Sequence, residues 1–320
     1  MQKHNCQKVI GSLVVLAGLC FSGAASAQDS RFFVSTGNTD HKLGALSRRP
    51  SAGKVETETA DDFLLSQTTV ITGATISGLI TPATPLANIA NVEVEFYHGF
   101  PLDSANPNPL AGKVPTRANS PADVEIATAT RDGNLGSLRF APRLVNDNAL
   151  VQVKVADKIL PKPDNTTHGE GPVTGEEVQI NITFTTPVIL PAGRYFFRPE
   201  VLVTGGDFLF LSAPKPIVAP GTAIAGDLQA WIRNTGLNPD WLRIGTDIVS
   251  NPNLAPTFNM TFSLAGNTVI EVGTPGQANC HGKTISGLAA QFGSIDAAAG
   301  VLGFSSVQAL EDSFTTFCGE

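Results

Sequence analysis

Asp61 and Asp62 stand side by side in Ala60-Asp61-Asp62-Phe63, and paired carboxylates of this kind can give calcium the hard oxygen ligands it prefers. Asp207, Asp227 or Asp247, from distant turns, could complete such a site, although no D-x-D-x-D-G loop occurs. The plainer expectation is that Asp61 and Asp62 are turn or capping residues at the start of a strand. Trp231 and Trp241, with Tyr97 and Tyr195, could form a platform for stacking sugars, because flat rings with polar tips suit amphipathic contacts. Against that, Trp231 belongs to the run Leu228-Gln229-Ala230-Trp231 and Tyr195 precedes Phe196-Phe197, patterns that favour packing in a core. His41, His98, His168 and His281 are scattered, and neither H-E-x-x-H nor G-x-S-x-G is present. A hydrolase would have to assemble a convergent site in which His98 or His168 meets a carboxylate or hydroxyl. Glu176, Glu177 and Asp103 read as solvated loop residues. No catalytic residue is assigned, and no cofactor is expected unless calcium binds.

These side chains have to be positioned by a chain that reads as exported. Lys3 and Lys8 precede an apolar run from Val9 to Phe21, and small residues follow to Ala25-Ser26-Ala27. That is a cleavable signal peptide, 1–27, leaving Gln28 at the mature N-terminus in a secreted or periplasmic protein. The run is shorter than the roughly 20 residues a membrane-crossing helix needs, and no later stretch approaches that length. Lipidation at Cys20 is the rival, but Leu19 stands where Gly or Ala is normally required.

Composition bounds the remainder. Only 15% of the residues are charged, while 31 Gly and 22 Pro favour many strands joined by turns. A net charge of −7 argues against nucleic acid as a partner, and Arg48, Arg49 and Lys54 make only a short solvated arm. Cys6 and Cys20 depart with the signal, so Cys280 and Cys318 are left as one disulfide in an oxidising compartment. A zinc site with His281 lacks the paired C-x-x-C spacing.

The mature chain divides into an irregular N-terminal arm, 28–59, a β-sandwich, 60–272, and a helical module, 273–320. Val92-Glu93-Val94-Glu95-Phe96-Tyr97 puts apolar side chains on one face and carboxylates on the other, and Val178 to Phe184 repeats the pattern. Similar runs cover 63–65, 70–80, 124–130, 150–155, 195–203, 208–212, 228–233, 241–244 and 258–264. Without long intervening helices they predict an all-β, two-sheet antiparallel sandwich of jelly-roll or Greek-key type. The stretches 100–121 and 158–175 are rich in Pro and Gly and read as long loops, functional or disordered. After 280 the period becomes helical. Ser305-x-x-Gln308 is a capping box ahead of Val307, Leu310, Phe314 and Phe317, and Gly293 and Gly303 mark helix ends. The disulfide would close this appendage.

The motifs Ala60-Asp61-Asp62-Phe63-Leu64-Leu65, Leu190-Pro191-Ala192-Gly193-Arg194-Tyr195-Phe196-Phe197 and Phe258 to Gly266, with Val70 to Gly73 and Val92 to Tyr97, resemble secreted bacterial jelly-roll domains of surface-associated proteins of unassigned function. The resemblance covers about residues 60–266 and implies a sandwich with non-enzymatic surface or binding behaviour. The hydrophobic anchor common in such proteins is replaced here by the helical tail, which favours release or periplasmic residence over anchoring. Three functions follow as expectations: an exported structural, adhesive or interaction domain whose partners are glycans or envelope proteins; a carbohydrate-binding module, with or without calcium; and a secreted hydrolase.

Overall fold

The computed structural model describes residues 30–51, 53–104, 117–159, 166–235, 241–251 and 257–320. The signal segment 1–27 lies outside them, as do 105–116 and 160–165 of the two Pro- and Gly-rich loops. The strands are β1 (Arg31–Ser35), β2 (Leu43–Leu46), β3 (Thr57–Leu65), β4 (Thr69–Ile80), β5 (Ile89–His98), β6 (Arg131–Asp132), β7 (Leu138–Val151) and β8 (Val153–Val155). They continue as β9 (Val173–Leu190), β10 (Gly193–Val203), β11 (Phe208–Ala213), β12 (Trp231–Asn234), β13 (Leu242–Arg243), β14 (Asn259–Met260) and β15 (Phe262–Thr268). The helices α1 (Cys280–Phe292), α2 (Ile295–Val301) and α3 (Val307–Cys318) close the chain. Among the described residues no helix is long and apolar enough to cross a membrane.

The strands form two sheets stacked as a sandwich. In the larger, β4 is the spine: β9 pairs along its whole length, while β15 and β11 share its other edge. β7 extends this sheet beyond β9, β1 beyond β15, and β2 and β8 beyond β11. Pairing is antiparallel except between β2 and β8. The smaller sheet runs β13-β12-β3-β10-β5-β6. Because β3 is followed by β4, and β9, β10 and β11 alternate between sheets, the chain crosses repeatedly from one layer to the other, as in jelly-roll and Greek-key sandwiches.

Alternation explains the core. Val92, Val94 and Phe96 point inward from β5, as do Phe63 from β3 and Phe197 and Val201 from β10, all of them buried. They meet Ile76, Ile180, Ile182, Phe184, Phe262 and Leu264 of the larger sheet. Phe96 packs edge-on against Phe184 at 6.4 Å, and Phe197 stacks on Phe262 at 5.1 Å. Each such side chain contributes about 1.5–3 kcal/mol by leaving water.

Three expectations need correction. The described residues of 28–59 do not form an irregular arm, since they carry β1, β2 and the start of β3. β2 is buried at every position, because Leu43 and Ala45 face the main core while Leu46 packs with Leu209 and Leu211. A strand covered on both faces shows no alternation to detect. Residues 124–130 hold a single 3-10 turn, Ala127–Ala129, where a strand was expected; Ile126 donates to the Phe96 carbonyl at 2.8 Å and Ala129 turns back on Ile126. The cap of α3 is Ser306, whose hydroxyl accepts from the Ala309 N–H at 3.1 Å, one residue beyond the expected Ser305.

The helices cover their apolar faces with one another and with the sandwich. Leu288, Leu310 and Phe314 are buried together with Val70 and Val269, and Ile189 packs alongside. Cys280 and Cys318 are joined with their Cα atoms 5.7 Å apart, closing a loop of 38 residues. The chain-entropy estimate for a loop of that size is about 4 kcal/mol.

Candidate functional site

The other face of the smaller sheet is where the charged side chains gather. Alternation turns Glu58, Glu93, Glu95, Tyr97, Arg198, Glu200, Trp231 and Arg233 away from the inter-sheet core. Register sets them side by side: Arg198 lies opposite Glu95, Glu200 opposite Glu93, and Arg233 opposite Glu58. A polar face of this kind normally meets water, yet Arg198 is 2% exposed and Glu200 fully covered. The residues after Ser120 supply part of the cover: Trp241 Nε1 donates to the Ala122 carbonyl at 3.0 Å and Arg233 Nη1 to that of Asp123 at 2.9 Å.

Buried charges require partners, and here they provide them for one another. Arg198 is central, with Nη1 2.7 Å from Glu200 Oε2, Nε 3.4 Å from Glu58 Oε2, and Nη2 paired to Glu95. Arg233 Nε donates to Glu58 Oε1 at 2.9 Å, and its guanidinium lies over the Trp241 ring at 4.5 Å. The Tyr97 hydroxyl sits between Glu58, at 3.0 Å, and Glu95. Arg49, from the β2–β3 connection, spans Glu93 at 2.7 Å and Asp132 at 2.6 Å.

The acids outnumber the bases. Glu56, Glu58, Glu93, Glu95, Glu200 and Asp132 face Arg49, Arg198 and Arg233. Burial pushes Glu200 well above the usual carboxylate range despite the pull of Arg198, and neither of its oxygens has an aligned hydrogen bond. Burial likewise raises Glu93 to about 7 against Arg198 and Arg49. For Glu58 burial acts upward, but Arg198, Arg233 and hydrogen bonds from Arg233 and Tyr97 outweigh it and hold the carboxyl below its ordinary value. Burial lowers Arg198, but Glu200, Tyr97, Glu58 and Glu95 outweigh it and hold the guanidinium charged.

Asp61 and Asp62 lie in mid-strand on β3 rather than in a turn or cap, so the strand sends them to opposite faces. Asp62 points outward, paired to Arg194 and accepting from the Leu228 N–H at 2.9 Å. Asp61 points inward, where Oδ2 accepts from the Met260 N–H at 2.7 Å and Oδ1 is buried without a partner. Burial raises both carboxyls, Asp61 well above its usual range with Asp62 adding to the push, and Asp62 to about 6 against the pull of Arg194. The described residues contain no group of three or more His, Cys, Asp or Glu placed to hold a metal. Asp207 is paired with Arg48 and Lys54, and Asp247 with Arg243.

The other sequence candidates also change meaning. Both Trp231 and Trp241 are 0% exposed, so neither offers a ring to a sugar; with Ala60, Tyr97 and Phe196 they fill the apolar part of the covered outer face. His98 pairs through Nδ1 with Asp103, and its ring packs on Tyr195, whose hydroxyl is committed to the Pro191 carbonyl at 3.0 Å. His168 Nδ1 lies 3.0 Å from the Val249 carbonyl, with the Thr166 hydroxyl at 3.2 Å. His41, which pattern left unassigned, meets Glu177 at 2.8 Å.

Sequence reasoning overlooked Arg198, Glu200, Arg233 and Glu58. The available signal was charge at alternate positions on neighbouring strands of a chain otherwise poor in charge. A cleft of about 200 Å³ lies between the sandwich and α3, lined by Thr128, Arg131, Thr186, Ile189, Ser313 and Phe317. Burial lowers Arg131 there to about 10, and its donors go to the carbonyls of Thr128, Thr130, Thr186 and Pro187. No protein-family profile, no curated protein and no solved structure matches the chain.

Proposed function

We propose that this chain is an exported, non-catalytic β-sandwich protein with a structural, adhesive or interaction role at the cell envelope or outside the cell. The observation that supports this most is the charged layer itself. Its acids and arginines come from five strands and the β2–β3 connection, bind one another, and lie under cover, an arrangement suited to bracing a sheet rather than to meeting a substrate. The tripartite N-terminal segment and the Cys280–Cys318 bridge agree with export.

The test is a panel of polysaccharide and ester substrates offered to the purified protein, together with the N-terminal residue of the chain recovered outside the cytoplasm. No turnover and an N-terminus at Gln28 are expected. Turnover that is abolished by His98→Ala would overturn the proposal in favour of a secreted hydrolase, the second reading, which the His98–Asp103 pair supports.

A further inference from the structure

Lys215 follows β11, and register places Asn259 opposite Ala213, two residues before it. The lysine amine lies 3.0 Å from Asn259 Oδ1 and 2.7 Å from Asp227 Oδ2, and it also contacts the Leu228 carbonyl. Asn259 Nδ2 donates to the same Asp227 oxygen at 3.0 Å. One carboxylate oxygen therefore touches both an amine and the nitrogen of the carboxamide beside it. Asn259 is 0% exposed, so bulk water is kept from its side chain. Asp61, 1% exposed with Oδ1 unpartnered, lies within electrostatic reach of both Lys215 and Asp227.

We propose that Lys215 and Asn259 join in an intramolecular isopeptide bond, with Asp227 carrying the proton between them. Asp227 first takes a proton from the Lys215 ammonium, freeing the lone pair that attacks Asn259 Cγ and forms the new C–N bond. Asp227 gives that proton to Nδ2 as the Cγ–Nδ2 bond breaks, and the regenerated carboxylate then passes the second proton of the lysine nitrogen to the departing ammonia, which leaves as ammonium. Ammonium side chain plus carboxamide becomes secondary amide plus ammonium ion, with nothing oxidised or reduced. Fixed proximity makes an otherwise slow exchange feasible, since well-oriented intramolecular reactions gain effective molarities on the order of 10⁵–10⁸ M. Exclusion of water protects the carboxamide from competing hydrolysis. Asp61 acts as a positioning residue, its buried carboxyl keeping a polar, water-poor wall beside the reacting groups. The product would tie the exit of β11 to β14 across 44 residues of chain.

Peptide mapping of the folded, full-length protein tests this. Intact mass is expected to fall short of the sequence mass by one ammonia beyond the disulfide. Because cyclisation of an N-terminal Gln also releases ammonia, the deciding species is a branched tryptic peptide joining the segments that hold Lys215 and Asn259. It should be present in most molecules and absent from Lys215→Arg and Asp227→Asn. Separate linear peptides from folded wild-type protein after prolonged incubation would overturn the proposal, as would loss of water with Lys215 linked to Asp227. The wild-type map decides the matter even where a variant fails to fold.

Discussion

Phe96 and Tyr97 are neighbours on β5 and lie on opposite sides of one sheet, both almost wholly covered. Phe96 enters an apolar core and packs against Phe63, Phe184 and Phe197. Tyr97 enters a layer of carboxylates and guanidiniums, with Trp241 edge-on at 5.7 Å. The two faces are stabilised by different physics. On the inner face each added contact is worth the area it removes from water. On the outer face the gain is conditional, since an ion pair under cover barely offsets its desolvation while a lone buried charge is costly.

The contrast predicts unequal responses to mutation. Phe96→Ala should cost about 3–5 kcal/mol in denaturant unfolding, through lost transfer energy and the cavity left behind. Tyr97→Phe keeps the ring and removes only the hydroxyl between Glu58 and Glu95, so about 1–3 kcal/mol is expected from acceptors left without a donor. A loss as large as that of Phe96→Ala would mean that the outer layer carries as much stability as the core.

pH sharpens the distinction further, because the inner hydrocarbon face does not titrate. Glu93, raised to about 7, and Glu200, pushed by burial well above its usual range, bind protons more tightly folded than unfolded. The stabilisation from Glu93 is complete below an ordinary carboxylate value of about 4.5 and is lost as pH rises through about 7, and that from Glu200 has the same sign. Asp62, raised to about 6, adds the same trend. Glu58, Asp132 and Asp207, held low, contribute stability that is lost only as pH falls below the ordinary carboxylate range. Melting temperature is therefore expected to be highest near pH 5 and to decline toward pH 8. A flat profile from pH 5 to 8 would show that the covered acids do not retain their protons. Glu200→Gln, the mildest change, imitates the protonated form and should alter stability at pH 7 by less than about 1 kcal/mol in either direction. It should also remove part of the decline above neutrality.

The same contrast explains what could be read in advance. Alternation in 92–97 and 178–184 predicted the sandwich, a change of period after 280 predicted the helices, and the two cysteines left after export predicted the Cys280–Cys318 bridge, all of which the fold contains. Alternation records polarity, however, and not exposure. Glu93 and Glu95 looked like a solvated face because nothing local announces that the residues after Ser120 and the β2–β3 connection fold over them. Trp231 and Trp241 raised the converse problem, since polar-tipped rings look available until cover from distant sequence is known. Asp61 and Asp62 were visible as a pair. Their separation to opposite faces follows from a β3 that begins at Thr57, earlier than its apolar part suggested. Lys215, Asp227 and Asn259 carry no spacing signal, because β11, β14 and the chain before β12 meet only in three dimensions.

Equilibrium denaturation of Arg198→Met tests the central claim most directly, namely that the outer face of the smaller sheet is a sealed, self-paired charge layer. With the guanidinium gone, Glu58, Glu95 and Glu200 lose the cation they share. The predicted loss is about 3–5 kcal/mol, nearly independent of salt and largely restored when the three glutamates are also changed to Gln. A change within about 0.5 kcal/mol that fades with added salt is the mark of a solvent-exposed pair and would contradict the account.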